Sequence, residues 1–195
     1  MKNQPSRRTC GFTLVELLVV IVIIAVLASA GFAAGSAAIQ KARRTTALAA
    51  ATAVESAVNN FYTEYGSMPA DGDSDATTET KTNVTLLKIL LGMDEGSTTP
   101  KNSRAVKFLS VREGKSNKNG LIYSSSGSDI NGLFDPWGGP YQVMLDLDYD
   151  EKINVKPKGL GAVSRTLNGR RVAVWSDGAD GATSTGKAAD DVITW

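Results

Sequence analysis

The residues best placed to do chemistry lie where a short basic segment gives way to an apolar one. Gly11 and Phe12 stand at this boundary, and Glu16 follows four residues after Phe12. Glu16 carries the only charge between Arg8 and Lys41. Because a carboxylate at the edge of an apolar run costs free energy unless it is paired, Glu16 is a candidate functional residue. The alternative is that its side chain only extends to the aqueous surface.

These residues lead into a long apolar segment, and its length and composition predict that it crosses a membrane. Residues 17–28 are apolar without interruption, and residues 17–40 contain no charge. As a helix, residues 17–40 would be about 36 Å long, against a bilayer core of about 30 Å. A secretory signal peptide with a cleavage site at Ala28-Ser29-Ala30 is the alternative, but the apolar, alanine-rich stretch continues past Ala30. The sequence therefore predicts a membrane-spanning helix.

The segment from Gly11 to Leu17, which reads GFTLVEL, resembles the cleavage and methylation motif of type IV pilins and type II secretion pseudopilins. The resemblance implies that a prepilin peptidase cuts between Gly11 and Phe12 and that the new amine of Phe12 is methylated. This amine would lie one helical turn from Glu16, so the two groups can pair within one chain or between neighbouring subunits. The resemblance also implies that Glu16 recruits the next subunit through that amine. The basic leader would stay on the cytoplasmic side of the membrane.

The composition excludes several classes of function. There is no histidine, which excludes His-based catalytic triads and zinc sites built on imidazole. The single cysteine, Cys10, lies in the leader, so no intrachain disulfide can form. Removal of the leader takes away three cations and leaves 18 bases against 20 acids, a formal charge of −2. We therefore expect neither an enzyme nor a nucleic-acid-binding protein.

The second half of the helix is amphipathic and predicts the core of a soluble domain. Apolar residues recur at steps of three and four, as on one face of a helix. They are Ala50, Val54, Val58, Phe61 and Tyr65. Gly66 and Pro69 follow and predict the end of the helix, which would run from Phe12 to Tyr65.

The C-terminal half predicts a small antiparallel sheet that packs on this helix. Residues 141–149 alternate between apolar and polar side chains, which is typical of a strand with one buried face. Residues 153–155 predict a short return strand, and residues 172–175 predict a third strand. Between the helix and the sheet, residues 71–81 predict an exposed loop and residues 84–91 a short helix. The pattern predicts the α+β class with a sheet of about three strands, the pilin-like fold that the N-terminal resemblance also implies.

Three aspartates in the first of these strands have the spacing of calcium ligands. Asp146, Asp148 and Asp150 stand at alternate positions, as at the start of an EF-hand loop. The sixth position of that loop would be Glu151 instead of glycine, and the twelfth would be Pro157 instead of glutamate. The strand pattern accounts better for the alternation, so we expect no metal at these residues.

The C-terminal residues gather carboxylates in a glycine-rich segment that contains a single cation. The acidic residues are Asp177, Asp180, Asp190 and Asp191. Oxygen ligands on flexible loops suit calcium, and a solvated acidic turn is the alternative. Together with residues 135–141, this segment resembles the C-terminal region of the major pseudopilin of type II secretion, a family that carries a structural calcium ion. The resemblance implies side-chain ligands from Asp180 and from Asp190 or Asp191, with backbone carbonyls that include Ser176.

These patterns divide the chain into four segments. Residues 1–11 are a leader, residues 12–40 a membrane or filament-core helix, residues 41–66 its amphipathic continuation, and residues 67–195 a globular domain. The resemblance implies a structural subunit of a type II secretion pseudopilus, anchored in the bacterial inner membrane with its globular domain in the periplasm. Its partners would be prepilin peptidase, membrane lipid, the inner-membrane assembly platform, other pseudopilins and further copies of itself. The alternatives are a pilin of a type IV or competence pilus, and a membrane-anchored binding module that does not polymerise.

Overall fold

Two α-helices and eight strands form the described part of the computed structural model, which covers residues 13–95, 97–127, 129–157, 164–179, 181 and 191–195. The helices are α1, Leu14–Tyr65, and α2, Thr85–Leu91. The strands in chain order are β1 Ala76–Glu79, β2 Gly120–Tyr123, β3 Ile130–Phe134, β4 Tyr141–Leu145, β5 Lys152–Val155, β6 Arg165–Asn168, β7 Val172–Ser176 and β8 Val192–Ile193. The chain divides into two compact units, Met1–Lys41 and Ala42–Trp195.

In the first unit, α1 exposes large apolar side chains on every face. Apolar residues occupy every position from Leu17 to Ile24, and each of them is 44–58 % exposed. These residues span more than two helical turns, so this part of the helix has no polar face. Among the described residues, no helix combines the length and the apolar character that a membrane crossing requires. The membrane span predicted over residues 12–40 is not confirmed and stays a prediction, and Phe12 lies outside the described residues.

In the second unit, the C-terminal half of α1 packs against a four-stranded antiparallel sheet of order β1-β4-β7-β8. Val54, Val58 and Phe61, on the face predicted from helical spacing, are fully buried. They share one core with α2 and with alternate residues of β4 and β7, Val143 and Val174 among them. The structure confirms the α+β class and the arrangement of a long N-terminal helix on antiparallel strands, as in the pilin-like fold.

The opposite face of the main sheet is covered as well. Met144 and Trp175 alternate with the residues that face α1, and they pack against Ile153 and Leu167. Ile153 lies opposite Leu167 in the hairpin β5–β6. The predicted return strand therefore exists, but it pairs with β6 and not with the main sheet. Its apolar residues alternate, so the hairpin has one apolar face of its own that packs on the sheet.

Two predictions at the edge of the main sheet need correction. The predicted exposed loop at residues 71–81 contains β1, which pairs with β4. The strand predicted over residues 141–149 ends at Leu145. Beyond it, Tyr149 and Glu151 adopt φ angles of 61° and 60°, left-handed values that turn the chain. The three alternating aspartates therefore lie beyond the end of a strand, and the strand interpretation of their spacing is wrong.

Candidate functional site

Glu16 lies in the first turn of α1 and forms a reciprocal cap with Thr13. The Thr13 backbone N–H donates to Glu16 Oε2 at 2.9 Å, and the Thr13 hydroxyl donates to the same oxygen at 2.8 Å. In return, the Glu16 backbone N–H donates to Thr13 Oγ1 at 3.2 Å. This arrangement is a capping box, in which the residue before the helix and the third residue of the helix satisfy each other's free N–H groups.

The capping box is a second role for Glu16, beside the one inferred from its distance to Phe12. Its signature, Thr-x-x-Glu just before an apolar run, can be read at Thr13 and Glu16 in the sequence. The carboxylate at this position also meets the positive end of the helix dipole. The described residues offer no hydrogen-bond partner to its second oxygen, Oε1, which is open to a group from another molecule. The predicted processing residues, Gly11 and Phe12, lie outside the described residues.

A buried carboxylate organises the turn between β3 and β4. Asp135 is fully buried, and its Oδ1 accepts the backbone N–H groups of Trp137, Gly138 and Gly139 at 2.7–2.9 Å. Its Oδ2 accepts the Ser176 hydroxyl at 2.5 Å. Four donors therefore satisfy this carboxylate. The Asp-Pro pair in the sequence indicates only a turn, because Ser176 lies far along the chain in β7.

Two of the four predicted calcium ligands, Ser176 and Asp191, lie within the described residues, at the same end of the β7–β8 pair. Ser176, the last residue of β7, lies opposite Val192 in the sheet. Asp191 directly precedes Val192, so it lies one position beyond the pair that Ser176 and Val192 form. The other two predicted ligands, Asp180 and Asp190, lie outside the described residues.

The two described residues fit a calcium ion in different ways. Asp191 is 3 % exposed, so its carboxylate lies in the interior of the globular unit. Its backbone carbonyl accepts a hydrogen bond from Arg44 Nη2 at 3.3 Å. The Ser176 hydroxyl is already engaged, since it donates to Asp135 and accepts the Gly178 N–H at 3.2 Å. Ser176 therefore fits as a carbonyl ligand, as the resemblance implies, and not through its hydroxyl.

Tyr141 connects the same end of the sheet to α1. It is 1 % exposed, and its hydroxyl donates to the Ala47 carbonyl at 3.2 Å. Burial, with a further contribution from the charge of Asp135, raises the pKa of the Tyr141 hydroxyl far above its usual value. The phenol therefore keeps its proton and its hydrogen bond throughout the physiological range of pH. The role of this region is structural: it holds the turn before β4 and the end of β7 on the helix.

Comparison with known proteins gives a match at the N-terminus. Residues 6–32 match the family model described as the prokaryotic N-terminal methylation motif. This is the type IV prepilin-like cleavage and methylation motif, and the matched segment contains Gly11, Phe12 and Glu16. No curated protein and no solved structure matches the chain. The chain therefore carries a prepilin-type motif, which implies processing by prepilin peptidase and pilin-type assembly.

Proposed function

We propose that this protein is a structural subunit of a type II secretion pseudopilus. In this proposal, prepilin peptidase removes residues 1–11, the Phe12 amine is methylated, and the mature subunit polymerises through α1. Before assembly, the apolar part of α1 lies in the lipid of the inner membrane and the globular domain lies in the periplasm. The assembly platform of the inner membrane, other pseudopilins and further copies of the chain are its partners.

The observation that carries the proposal is the exposed apolar part of α1, which follows directly after Glu16. From Leu17 to Ile24 every side chain is apolar and 44–58 % exposed. Full burial of one such side chain is worth about 1.5–3 kcal/mol, so this surface is stabilised by lipid or by neighbouring helices. A filament core of packed helices would bury all faces of the helix at once, which suits a segment with no polar face.

Glu16 supports assembly because its carboxylate is already held at the start of the helix. Two hydrogen bonds from Thr13 orient its Oε2. The amine of Phe12 in a neighbouring subunit carries the complementary charge. In an apolar filament core an unpaired carboxylate is costly, so the pair would select the axial position of each incoming subunit.

Two alternatives differ in what they require of the chain. A pilin of a type IV or competence pilus would use the same motif and the same helix. Neighbouring genes would distinguish it, because a secretin and a secretion ATPase alongside favour type II secretion. A membrane-anchored binding module that does not polymerise needs the apolar helix and the cap that Glu16 forms, but it does not need the charge of Glu16 for pairing with another subunit. Substitution of Glu16 therefore separates assembly from anchoring alone.

The proposal includes a structural calcium ion in the C-terminal segment. Asp180 and either Asp190 or Asp191 would be its side-chain ligands, with a carbonyl from Ser176. The burial of Asp191 and its position one residue beyond the Ser176–Val192 pair support this part of the proposal. The ion would neutralise the acidic residues and hold the segment to β7, and it would supply no catalytic chemistry.

The test of assembly uses the full chain, produced together with prepilin peptidase and the secretion system of its own cell. Glu16→Gln is the central variant, because its amide oxygen can still accept hydrogen bonds from Thr13 but carries no charge. Thr13→Val is the matched variant, because it removes the hydroxyl of the cap and leaves the charge of Glu16 in place. Mass spectrometry reports cleavage after Gly11, and sedimentation of sheared filaments reports assembly.

We expect prepilin peptidase to cleave every variant. Filament yield should fall strongly in Glu16→Gln and only moderately in Thr13→Val. An uncompensated buried charge costs about 3–5 kcal/mol, so Glu16→Gln, which leaves the amine of the neighbouring subunit unpaired, should lower filament yield by about 100-fold or more. Thr13→Val loses about 1 kcal/mol of capping and should lower the yield by roughly fivefold. An unchanged yield for Glu16→Gln would reject charge pairing and leave capping as the role of Glu16. If Glu16→Ala also assembles normally, Glu16 has no role in assembly; if the unmodified chain forms no filaments, the non-polymerising module is the better explanation.

A further inference from the structure

Three carboxylates from two separate parts of the chain meet at one edge of the main sheet. Asp75 directly precedes β1, and Asp146 directly follows β4. Because Ala76 lies opposite Leu145 in this antiparallel pair, the register places the two aspartates side by side. Asp148 joins them from the turn after β4, and one carboxylate oxygen of each of the three residues lies within 4.8 Å of the others.

The cluster contains buried carboxylate oxygens that the described residues do not satisfy. Asp146 is 0 % exposed. Its Oδ2 accepts the Glu151 backbone N–H at 3.0 Å, but its Oδ1 accepts no hydrogen bond from any described residue. In the same cluster, Oδ1 of Asp75 is also buried and accepts no hydrogen bond from the described residues. Since buried acceptors in native proteins are almost always paired, two such oxygens beside a third carboxylate indicate a ligand that satisfies them together.

The described residues also supply no positive charge to the cluster. None of the ion pairs found in the described ranges includes Asp75, Asp146 or Asp148. Arg171 pairs instead with Glu151 at 2.8 Å. Burial, followed by the charges of Asp148 and Asp146, raises the pKa of the Asp75 carboxyl, and burial is likewise the main cause that raises the pKa of Asp146.

The geometry points to a divalent-cation site formed by Asp75, Asp146 and Asp148, with calcium as the ion. All three ligands are hard oxygens, which select Ca²⁺ or Mg²⁺ over softer metals. Ligands at about 2.3–2.6 Å from Ca²⁺ lie at most about 5.2 Å apart, and the three oxygens meet this limit because all lie within 4.8 Å of one another. Mg²⁺ needs ligand distances of about 2.0–2.1 Å in near-ideal octahedral geometry, which segments from two parts of the chain satisfy less readily.

The bound ion fastens an edge of the main sheet. β1 has four residues, and among the described strands it pairs only with β4. A cation shared by Asp75 and Asp146 ties the start of β1 to the end of β4, and Asp148 adds the turn that follows. The site is distinct from the predicted calcium ligands of the C-terminal segment, and it does not depend on filament assembly.

The test measures calcium binding and thermal unfolding of the full chain in detergent after treatment with EDTA. Asp75→Asn and Asp148→Asn each remove one charge and keep one oxygen acceptor. Neither residue is fully buried, so both variants should fold. Asp150→Asn is the matched control, because it makes the same change in the same turn at a residue outside the cluster. Each variant is compared alone and combined with Asp180→Ala, which removes a predicted ligand of the C-terminal segment.

We expect Asp75→Asn and Asp148→Asn to bind one calcium ion fewer than the unmodified chain and Asp150→Asn. With calcium about 100-fold above its Kd, the ion should raise the Tm of the Asp150→Asn, Asp180→Ala chain by roughly 5–10 °C. The same addition should not raise the Tm of the Asp148→Asn, Asp180→Ala chain. In calcium-free buffer Asp148→Asn should melt no lower than the unmodified chain, because the change relieves repulsion between like charges.

Three results would overturn the site. The first is an unchanged calcium stoichiometry in both Asp75→Asn and Asp148→Asn. The second is a loss of Tm in Asp148→Asn that is equally large with and without calcium, which would make its role purely structural. The third, an equal rise in Tm with Mg²⁺ at the same concentration, would overturn the assignment of calcium.

Discussion

Replacement of Asp135 by alanine should destabilise the globular unit strongly, and the size of the effect can be worked out from four hydrogen bonds. The carboxylate is fully buried and accepts the N–H groups of Trp137, Gly138 and Gly139 at 2.7–2.9 Å. It also accepts the Ser176 hydroxyl at 2.5 Å. Alanine would leave all four donors without their acceptor.

The expected loss follows from these contacts. A hydrogen bond to a charged group contributes about 1.5–3 kcal/mol, but the four bonds share one carboxylate and the cost of its desolvation, so they do not add. We expect the free energy of unfolding to fall by about 3–5 kcal/mol. At this chain length each kcal/mol lowers the Tm by about 2–4 °C, so the Tm should fall by roughly 6–20 °C.

Asp135→Asn provides a graded comparison. Its amide oxygen can still accept the three backbone N–H groups, but its NH₂ group would face the Ser176 hydroxyl. That hydroxyl already accepts the Gly178 N–H at 3.2 Å and would have to accept a second hydrogen bond. We expect a loss of about 1–2 kcal/mol, smaller than for alanine. Asp73→Ala changes an exposed aspartate and should stay within about 0.5 kcal/mol of the unmodified chain.

Tryptophan fluorescence during thermal unfolding suits this measurement, because all three tryptophans lie in the C-terminal half of the chain and Trp137 lies in the turn itself. The full chain and the three variants are compared in the same detergent. The expected order of Tm is Asp135→Ala lowest, Asp135→Asn intermediate, and Asp73→Ala equal to the unmodified chain. A Tm for Asp135→Ala within about 1 °C of the unmodified chain would refute the reasoning that this network holds the turn to β7.

Two further predictions concern the melting of an Asn102 variant and the calcium binding of an Asp180 variant. Asn102 is fully buried, and its NH₂ group donates to the Ile89 and Val106 carbonyls at 2.7 Å each, so Asn102→Ala should cost about 2–4 kcal/mol. The exposed Asn60→Ala is its control, and equal melting of the two variants would contradict this role. Asp180→Ala should bind one calcium ion fewer than the unmodified chain and should lose part of the stabilisation that chelation removes. Unchanged calcium stoichiometry in Asp180→Ala would reject the C-terminal site.

Patterns that are local in the chain are sufficient to predict the N-terminal motif and the helix. Gly11, Phe12 and Glu16 are recognisable because a processing motif is a short linear segment, and the match over residues 6–32 confirms it. Helical spacing likewise predicts the buried face of α1, because positions three and four residues apart share a face wherever a helix forms, and Gly66 and Pro69 predict its end at Tyr65.

Contacts between distant segments could not be read from such patterns. The alternation in residues 141–149 predicts a strand with one buried face, whereas the hairpin β5–β6 buries the second face and the strand ends at Leu145. β1 could not be predicted from its polar sequence, because its hydrogen bonds to β4, and not its own hydrophobicity, hold it in the sheet. The link from Asp135 to Ser176 depends in the same way on two strands that meet only in the fold.

The acidic residues show this difference most clearly. Asp146 and Asp148 do not belong to an EF-hand, because the loop that follows them lacks the glycine and the glutamate which that motif requires. The register of β1 against β4 brings Asp75 beside Asp146, and strand register is set by the packing of the whole sheet. The sequence by itself determined the processing motif and the helix, because both depend on neighbours in the chain. Only the tertiary structure decided which carboxylates meet, because their proximity depends on which strands pair.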